Sequence, residues 1–261
     1  MATTEGHLLD GRVSYAQPAE GFRSGIEPVL LAAAIPARSG DRVLEGGSGA
    51  GAGLLCLAAR VAGIVGLGIE RDPSLAALAQ RNAAANGWAD LTFLAASVEA
   101  IPESGVFDHA FANPPYHLEA GTPSPLRGRS DAKHAPADLL ATWATSLARH
   151  LRPRGTLTLI VSAADLPACL AALAAARCGS GTLFPLWPRQ GRQAKLALLQ
   201  GVKDGRGPFR ILPGLMLHGD RSAYTPEADT VLRGGSALPL SSCGEAGHRN
   251  TSSWSAKADH P

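Results

Sequence analysis

The residues best equipped for chemistry stand in three short stretches: Glu45 ahead of Gly47-Ser48-Gly49-Ala50-Gly51, then Glu70, then Asn113-Pro114-Pro115-Tyr116. Two consecutive prolines remove two backbone donors and fix φ at both positions, so the chain stiffens beyond Asn113. Asn113 itself is held extended by the proline that follows it. The resulting corner presents a side-chain amide, a carbonyl with no competing local donor, and an aromatic ring. An acceptor pair beside a stacking surface suits a flat group that carries an NH2. A glycine loop opening a helix lets a ligand approach the backbone and aims helix N-terminal N–H groups at it. Glu45, directly before that loop, would repel a pyrophosphate and welcome an ammonium group. Glu70 is placed to accept two ribose hydroxyls in bidentate fashion.

The run Gly47 to Ala52 also fits the dinucleotide pattern G-x-G-x-x-G/A, with Glu70 near the usual distance for a ribose-binding acid. A nicotinamide-dependent dehydrogenase is therefore one reading. Glu45 and the lack of a second group suited to hydride transfer argue against it, and S-adenosylmethionine fits better.

These groups need a scaffold that brings strand ends together. Arg42 to Glu45, Ile64 to Ile69, Leu91 to Leu94, Val106 to Ala112 and Thr156 to Val161 read as buried strands. Between them lie helical patterns: Ala52 to about Val61, a helix capped by Asp72-Pro73 and ended by Asn86-Gly87, and a face formed by Leu139, Leu140, Trp143, Leu147 and Leu151. A short apolar helix, Val29 to Ala34, precedes the first strand, and an Ala/Leu helix from Asp165 to about Arg177 follows the fifth. Such alternation predicts a parallel sheet covered on both faces. Leu183–Trp187 and Ala194–Val202 are joined by too few residues for a crossover helix and must be antiparallel. The expectation is thus an α/β, Rossmann-like fold with a seven-stranded, mostly parallel sheet, an antiparallel last strand pair, and helices on both faces. Residues 1–21 read as a loosely held arm, 22–233 as the domain, 117–136 as a mobile substrate loop, and 234–261 as a disordered tail.

At 261 residues and 45% hydrophobic content, the chain can bury one sizeable core. Cys56, Cys169, Cys178 and Cys243 form no CxxC pair, so no metal or disulfide framework is expected. The first residues lack the apolar core of a secretory signal, and the longest apolar run, Leu166 to Ala176, is too short to span a bilayer. A cytoplasmic, monomeric protein without a membrane partner is expected. The net charge of +2 conceals an asymmetry. Residues 122–210 hold 13 of the 24 Lys and Arg but 4 of the 22 Asp and Glu, an excess of +9 against −7 elsewhere. Arg127, Arg129, Lys133, Arg189, Arg192 and Lys195 are candidate phosphate contacts within it, compatible with a nucleic-acid partner.

Strand, Glu45, glycine loop, Glu70 and Asn-Pro-Pro-Tyr in this order resemble a class I S-adenosylmethionine-dependent methyltransferase. The Asn-Pro-Pro-Tyr corner is similar to that of the amino-methyltransferases, which modify adenine N6, guanine N2 or glutamine N5. Phe22-Arg23-Ser24-Gly25-Ile26-Glu27-Pro28-Val29-Leu30-Leu31, and Ala223 to Ala228 through Leu232-Arg233, resemble the flanks of the bacterial tRNA1(Val) adenine-N6 methyltransferase family. The likeness covers about residues 8–233. It implies cofactor contacts from Arg23, Gly25, Glu45, Gly47, Gly49, Gly51, Glu70, Ser97 and Asn113. It implies that Asn113, Pro114, Pro115 and Tyr116 hold the target amine. Ala95-Ala96-Ser97 departs from the family, which carries an acid near the cofactor adenine, and leaves Ser97 a weaker hydrogen bond to offer. The activity implied is N6-methylation of an anticodon-loop adenine in tRNA. The alternatives are methylation of a protein glutamine or another RNA or DNA base, and a non-catalytic RNA-binding module that retains the fold.

Overall fold

A computed structural model describes residues 1–20, 25–114, 137–219 and 223–240. Two strands, β1 (Thr3–Leu8) and β2 (Val13–Pro18), form an antiparallel hairpin ahead of helix α1 (Glu27–Ala34). The alternating core follows: β3 (Arg42–Gly46), α2 (Ala52–Arg60), β4 (Val65–Glu70), α3 (Pro73–Ala85), β5 (Leu91–Ala95), β6 (Phe107–Ala112), α4 (Ala137–Arg149) and β7 (Leu151–Ser162). After α5 (Leu166–Ala175) come β8 (Cys178–Trp187), β9 (Leu196–Lys203), the two-residue strands β10 (Arg210–Ile211) and β11 (Leu215–Met216), and α6 (Pro226–Leu232).

The main sheet runs β10-β8-β9-β7-β6-β3-β4-β5, with β11 also on β8. Strands β7, β6, β3, β4 and β5 are mutually parallel, and β9 is antiparallel to both β7 and β8. The antiparallel last pair is therefore as expected, with β9 wedged between β7 and β8. The seven expected strands are joined by β10 and β11, which extend the sheet to nine. Two-residue strands carry no periodicity to read. The helical face expected to reach Leu151 ends instead at Arg149, and Leu151 opens β7, where a register shift between Phe107 and His109 accommodates Pro153 and Gly155.

Two apolar cores flank the sheet. One gathers α1, α2, α3, α6 and the hairpin residues Leu9, Val13 and Tyr15; the other gathers α4 and α5. Local chemistry fixes the helix ends. Asp72 caps α3 by accepting from the N–H groups of Ser74 (2.7 Å) and Leu75 (3.3 Å), with Pro73 at the first helical position. Gly87, at φ 74°, closes it: Gly87 and Trp88 donate back to Ala84 and Ala83, each at 3.0 Å.

Residues 1–18 and 234–240 differ from the expected arm and tail. The hairpin is fastened by Arg12, which donates to Gly234 O (2.8 Å) and Ala59 O (2.6 Å). Past residue 233 the chain still packs: Leu238 N donates to Ala33 O (2.7 Å), and Leu238 and Leu240 are buried. Residues 241–261, and the loop expected at 117–136, lie outside the described residues. Among the described residues no helix is long and apolar enough to cross a membrane.

Candidate functional site

Strand β3 lies between β6 and β4, so chain order reverses at its carboxyl end. Open α/β sheets bind ligands at such a point. Register brings the singled-out residues together there. Gly46 pairs with both Ile69 and Ala112, which sets Glu70 and Asn113 on either side of the glycine loop.

The loop is held by backbone bonds. Gly47 and Ser48 N–H groups donate to Ile69 O (2.8 and 3.0 Å), and Gly51 N donates to Ser48 O (2.8 Å). Gly47, Gly49 and Gly51 have φ of 67°, 54° and 91°, values that an L side chain resists. At Gly47 there is also no room, because an added Cβ would stand 2.8 Å from Trp143 Cη2 on α4. Gly51 is the residue from which α2 starts, and no side chain caps that helix.

Glu70 is buried and bonded through both oxygens: Oε2 accepts from Gly49 N (2.9 Å) and Oε1 from Asp72 N (2.9 Å). Each carboxylate oxygen keeps a further lone pair. The carboxylate thus ties the loop to the start of α3 while remaining able to accept from a ligand.

Glu45 is more deeply placed than its position in sequence suggested. Its Oε2 accepts from Leu54 N (3.0 Å) at the first turn of α2, and Gly53 lies so close to Oε1 that a Cβ there would collide with it. Burial pushes its pKa up to about 8; the Leu54 N–H opposes the rise and Glu70 adds to it. The free protein therefore keeps a proton on Glu45 at neutral pH, and the attraction for a cation expected of it requires ionisation. A raised carboxyl pKa contributes stability that is fully present below 4.5 and is lost as pH rises through about 8. Glu45→Gln retains an acceptor for Leu54 N–H and has no charge to bury. The melting-temperature difference between wild type and this variant should thus shift against wild type as pH rises across that window. A constant difference would contradict the buried acid. Because a cation at the site favours the ionised form, wild-type affinity for a cationic cofactor should increase over the same window, and that of Glu45→Gln should not.

At the other flank, Asn113 Oδ1 is buried with no hydrogen-bond partner among the described residues. Ser48 Oγ, in the loop, shares this condition. Buried polar atoms are paired in the great majority of cases; of seven such orphans among the described residues, these two follow the adjoining strands β3 and β6 and leave polar atoms open to a ligand there. Pro114 is buried next to Asn113, whereas Pro115 and Tyr116 lie outside the described residues.

Other expected contacts divide. Gly25 is exposed just before α1, with the Glu27 carboxylate closing over it. Ser97 already holds two bonds: its hydroxyl donates to the Glu99 carboxylate and accepts from Glu99 N at 3.4 Å, which leaves one acceptor lone pair. Glu99, which sequence reasoning passed over, is exposed beyond the end of β5 and supplies an acid near where the family pattern has one. Arg189, Arg192 and Lys195 are exposed in the β8–β9 loop and take part in no ion pair among the described residues. Since β8 runs parallel to β7, that loop lies at the sheet end that carries Glu70 and Asn113. Arg23, Arg127, Arg129 and Lys133 lie outside the described residues.

The strand order and glycine loop are those of a class I methyltransferase fold. A family model described as "Methyltransferase domain" matches residues 37–188, and the chain belongs to that family. S-adenosyl-L-methionine is the cofactor of this class. The chain is similar to a tRNA1(Val) (adenine(37)-N6)-methyltransferase of Shewanella sediminis, 31% identical over 149 residues, 54% of this chain and 60% of that one. It is 29% identical to the enzyme of the same name from Aeromonas hydrophila over 210 residues, 78% of this chain and 86% of that one. Among solved structures, a predicted O-methyltransferase from Agrobacterium tumefaciens superposes with a TM-score of 0.68 at 24% identity, covering 81% of this chain and 97% of that one.

The residues fit the cofactor. Three glycines at positive φ allow close approach, Glu70 retains lone pairs for ribose hydroxyls, and Glu45 is poised to ionise beside a cation.

Proposed function

We propose that this protein methylates N6 of an adenine in tRNA, in the anticodon loop; its relatives are named for adenine 37 of tRNA1(Val). The observation that carries the reading is the unpartnered Asn113 Oδ1 beside the glycine loop. S-adenosylmethionine supplies a methyl group activated by its sulfonium. The N6 lone pair of adenine is delocalised into the ring and is a poor nucleophile. Asn113 Oδ1 and the Pro114 carbonyl accept its two hydrogens, which holds the nitrogen where it pyramidalises toward the methyl carbon. An amine that received the methyl group would carry an extra proton and lose it to solvent, so no strong base is needed among the residues of the site. Catalysis is then positioning and electrostatics. Tyr116 is assigned to stack on the extruded base. Arg189, Arg192 and Lys195, with Arg127, Arg129 and Lys133, are assigned to the RNA phosphates, and Arg23 to the cofactor.

The test is methyl transfer from labelled S-adenosylmethionine to unmodified tRNA, release factor and duplex DNA in parallel, followed by digestion of the tRNA to nucleosides. N6-methyladenosine formed in tRNA alone is the expected result. Label in protein would move the assignment to glutamine, and RNA binding without transfer would leave a non-catalytic module. Reversing charge at Arg189 and Arg192 together should raise KM for tRNA by roughly tenfold or more and leave cofactor affinity unchanged. An unchanged KM would remove the β8–β9 loop from the RNA surface.

A further inference from the structure

We propose that Asn82, on α3, is a positioning residue for the cofactor site, and that the β1–β2 hairpin belongs to that site's scaffold. Asn82 is 3% exposed and spends its whole amide on two segments distant in sequence. Its Oδ1 accepts from Ala16 N (3.0 Å), and its Nδ2 donates to Ala16 O (2.8 Å) and to Ala50 O (3.0 Å). Ala16 lies on β2; Ala50 lies in the glycine loop. One side chain therefore joins the hairpin edge to the loop.

The Ala50 carbonyl needs such a partner. The first carbonyl used inside α2 is that of Gly51, which accepts from Leu55 N (3.0 Å), so the preceding carbonyl falls outside the helical ladder. It stands between Gly49 and Gly51, both at positive φ and both without a side chain to restrain the peptide. Gly49 N–H is fixed by Glu70, and the carbonyl on the other side of Ala50 is fixed by Asn82. Losing either frees one half of the same turn.

Asn86 supplies an internal comparison. One helical turn further on, it grips the hairpin in the same way, accepting from Ser14 N (2.9 Å) and donating to Ser14 O (2.8 Å). Its remaining N–H goes to Asn82 O (2.7 Å) and not to the loop. The two asparagines thus share the anchoring of β2 and differ in the bond to Ala50.

The proposal rests on the glycine loop binding S-adenosylmethionine but not on the identity of the methyl acceptor. Full-length wild type, Asn82→Ala, Asn82→Asp and Asn86→Ala would be titrated with S-adenosylmethionine by calorimetry, and each melted without it. Asp at position 82 retains an acceptor for Ala16 N and has no N–H for Ala50 O. Both alanine variants should lose similar thermal stability. Only the two changes at Asn82 should raise the cofactor Kd, by roughly tenfold, the effect of one buried hydrogen bond. Equal Kd values across all four proteins, or an equal rise in Asn82→Ala and Asn86→Ala, would make Asn82 a hairpin anchor and overturn the proposal. Should Asn82→Ala fail to fold, Asn82→Asp against Asn86→Ala decides in the same way. No binding by wild type would overturn the cofactor reading itself.

Discussion

Replacing Asn113 by alanine should reduce kcat for methyl transfer by roughly a hundredfold or more while leaving cofactor affinity close to wild type. The separation follows from what Asn113 Oδ1 does in the free protein. It is buried and has no partner among the described residues, so its removal breaks no described bond of that oxygen. The melting temperature should accordingly change by no more than about one or two degrees. The oxygen matters once a donor arrives. An amine N–H directed at it gains an acceptor inside a site that water has left, where a hydrogen bond is worth most. That gain grows as the nitrogen takes on positive charge, which makes it a term of the transition state more than of the bound substrate. Asn113→Asp keeps an acceptor oxygen and should retain more activity than the alanine variant. Single-turnover transfer to tRNA, with calorimetric titration of the cofactor, separates the two effects. Turnover within about tenfold of wild type in Asn113→Ala would end the assignment.

The parts of this molecule legible in its sequence are those where one local signal sufficed. Strands β3, β4 and β6 are short apolar runs that fall where Glu45, Glu70 and Asn113 marked their ends. The last strand pair was legible because eight or so residues cannot carry a crossover. What remained hidden depended on distant partners. The hairpin looked like a loose arm because β1 presents a polar alternation with no fully buried position, and its anchors are side chains of Asn82 and Asn86 on another element. Glu45 was legible as a carboxyl at a strand end. That it turns into the start of α2, loses water and keeps its proton depends on Leu54 and Gly53, whose placement is set by the loop between. Nothing in sequence says that Glu99 curls back onto Ser97 and takes its hydroxyl proton.

The second large effect is expected at Glu70. Its carboxylate holds Gly49 N–H and Asp72 N–H with one oxygen each, so Glu70→Ala strands two donors at the mouth of the site. Hydrogen bonds to a charged acceptor contribute about 1.5–3 kcal/mol each, and an inward-facing donor left unpaired carries its own penalty. Two consequences follow. The free protein should melt lower, because the glycine loop and the start of α3 lose their common tie. Affinity for S-adenosylmethionine should fall by roughly a hundredfold or more, since the loop must be reordered on binding and the acceptor for the ribose hydroxyls is gone. Glu70→Gln is not a mild substitute. A glutamine offers one acceptor oxygen and one NH2 to a place where two N–H groups converge, so one of them meets a donor. It should fall between alanine and wild type in melting temperature and lie close to alanine in affinity. Glu45→Gln is the informative contrast, because a neutral acid replaced by a neutral amide near neutral pH changes little until the cofactor's positive charge is present. Cofactor affinity within about threefold of wild type in Glu70→Ala would mean that Glu70 serves the loop alone and that the ribose is held elsewhere.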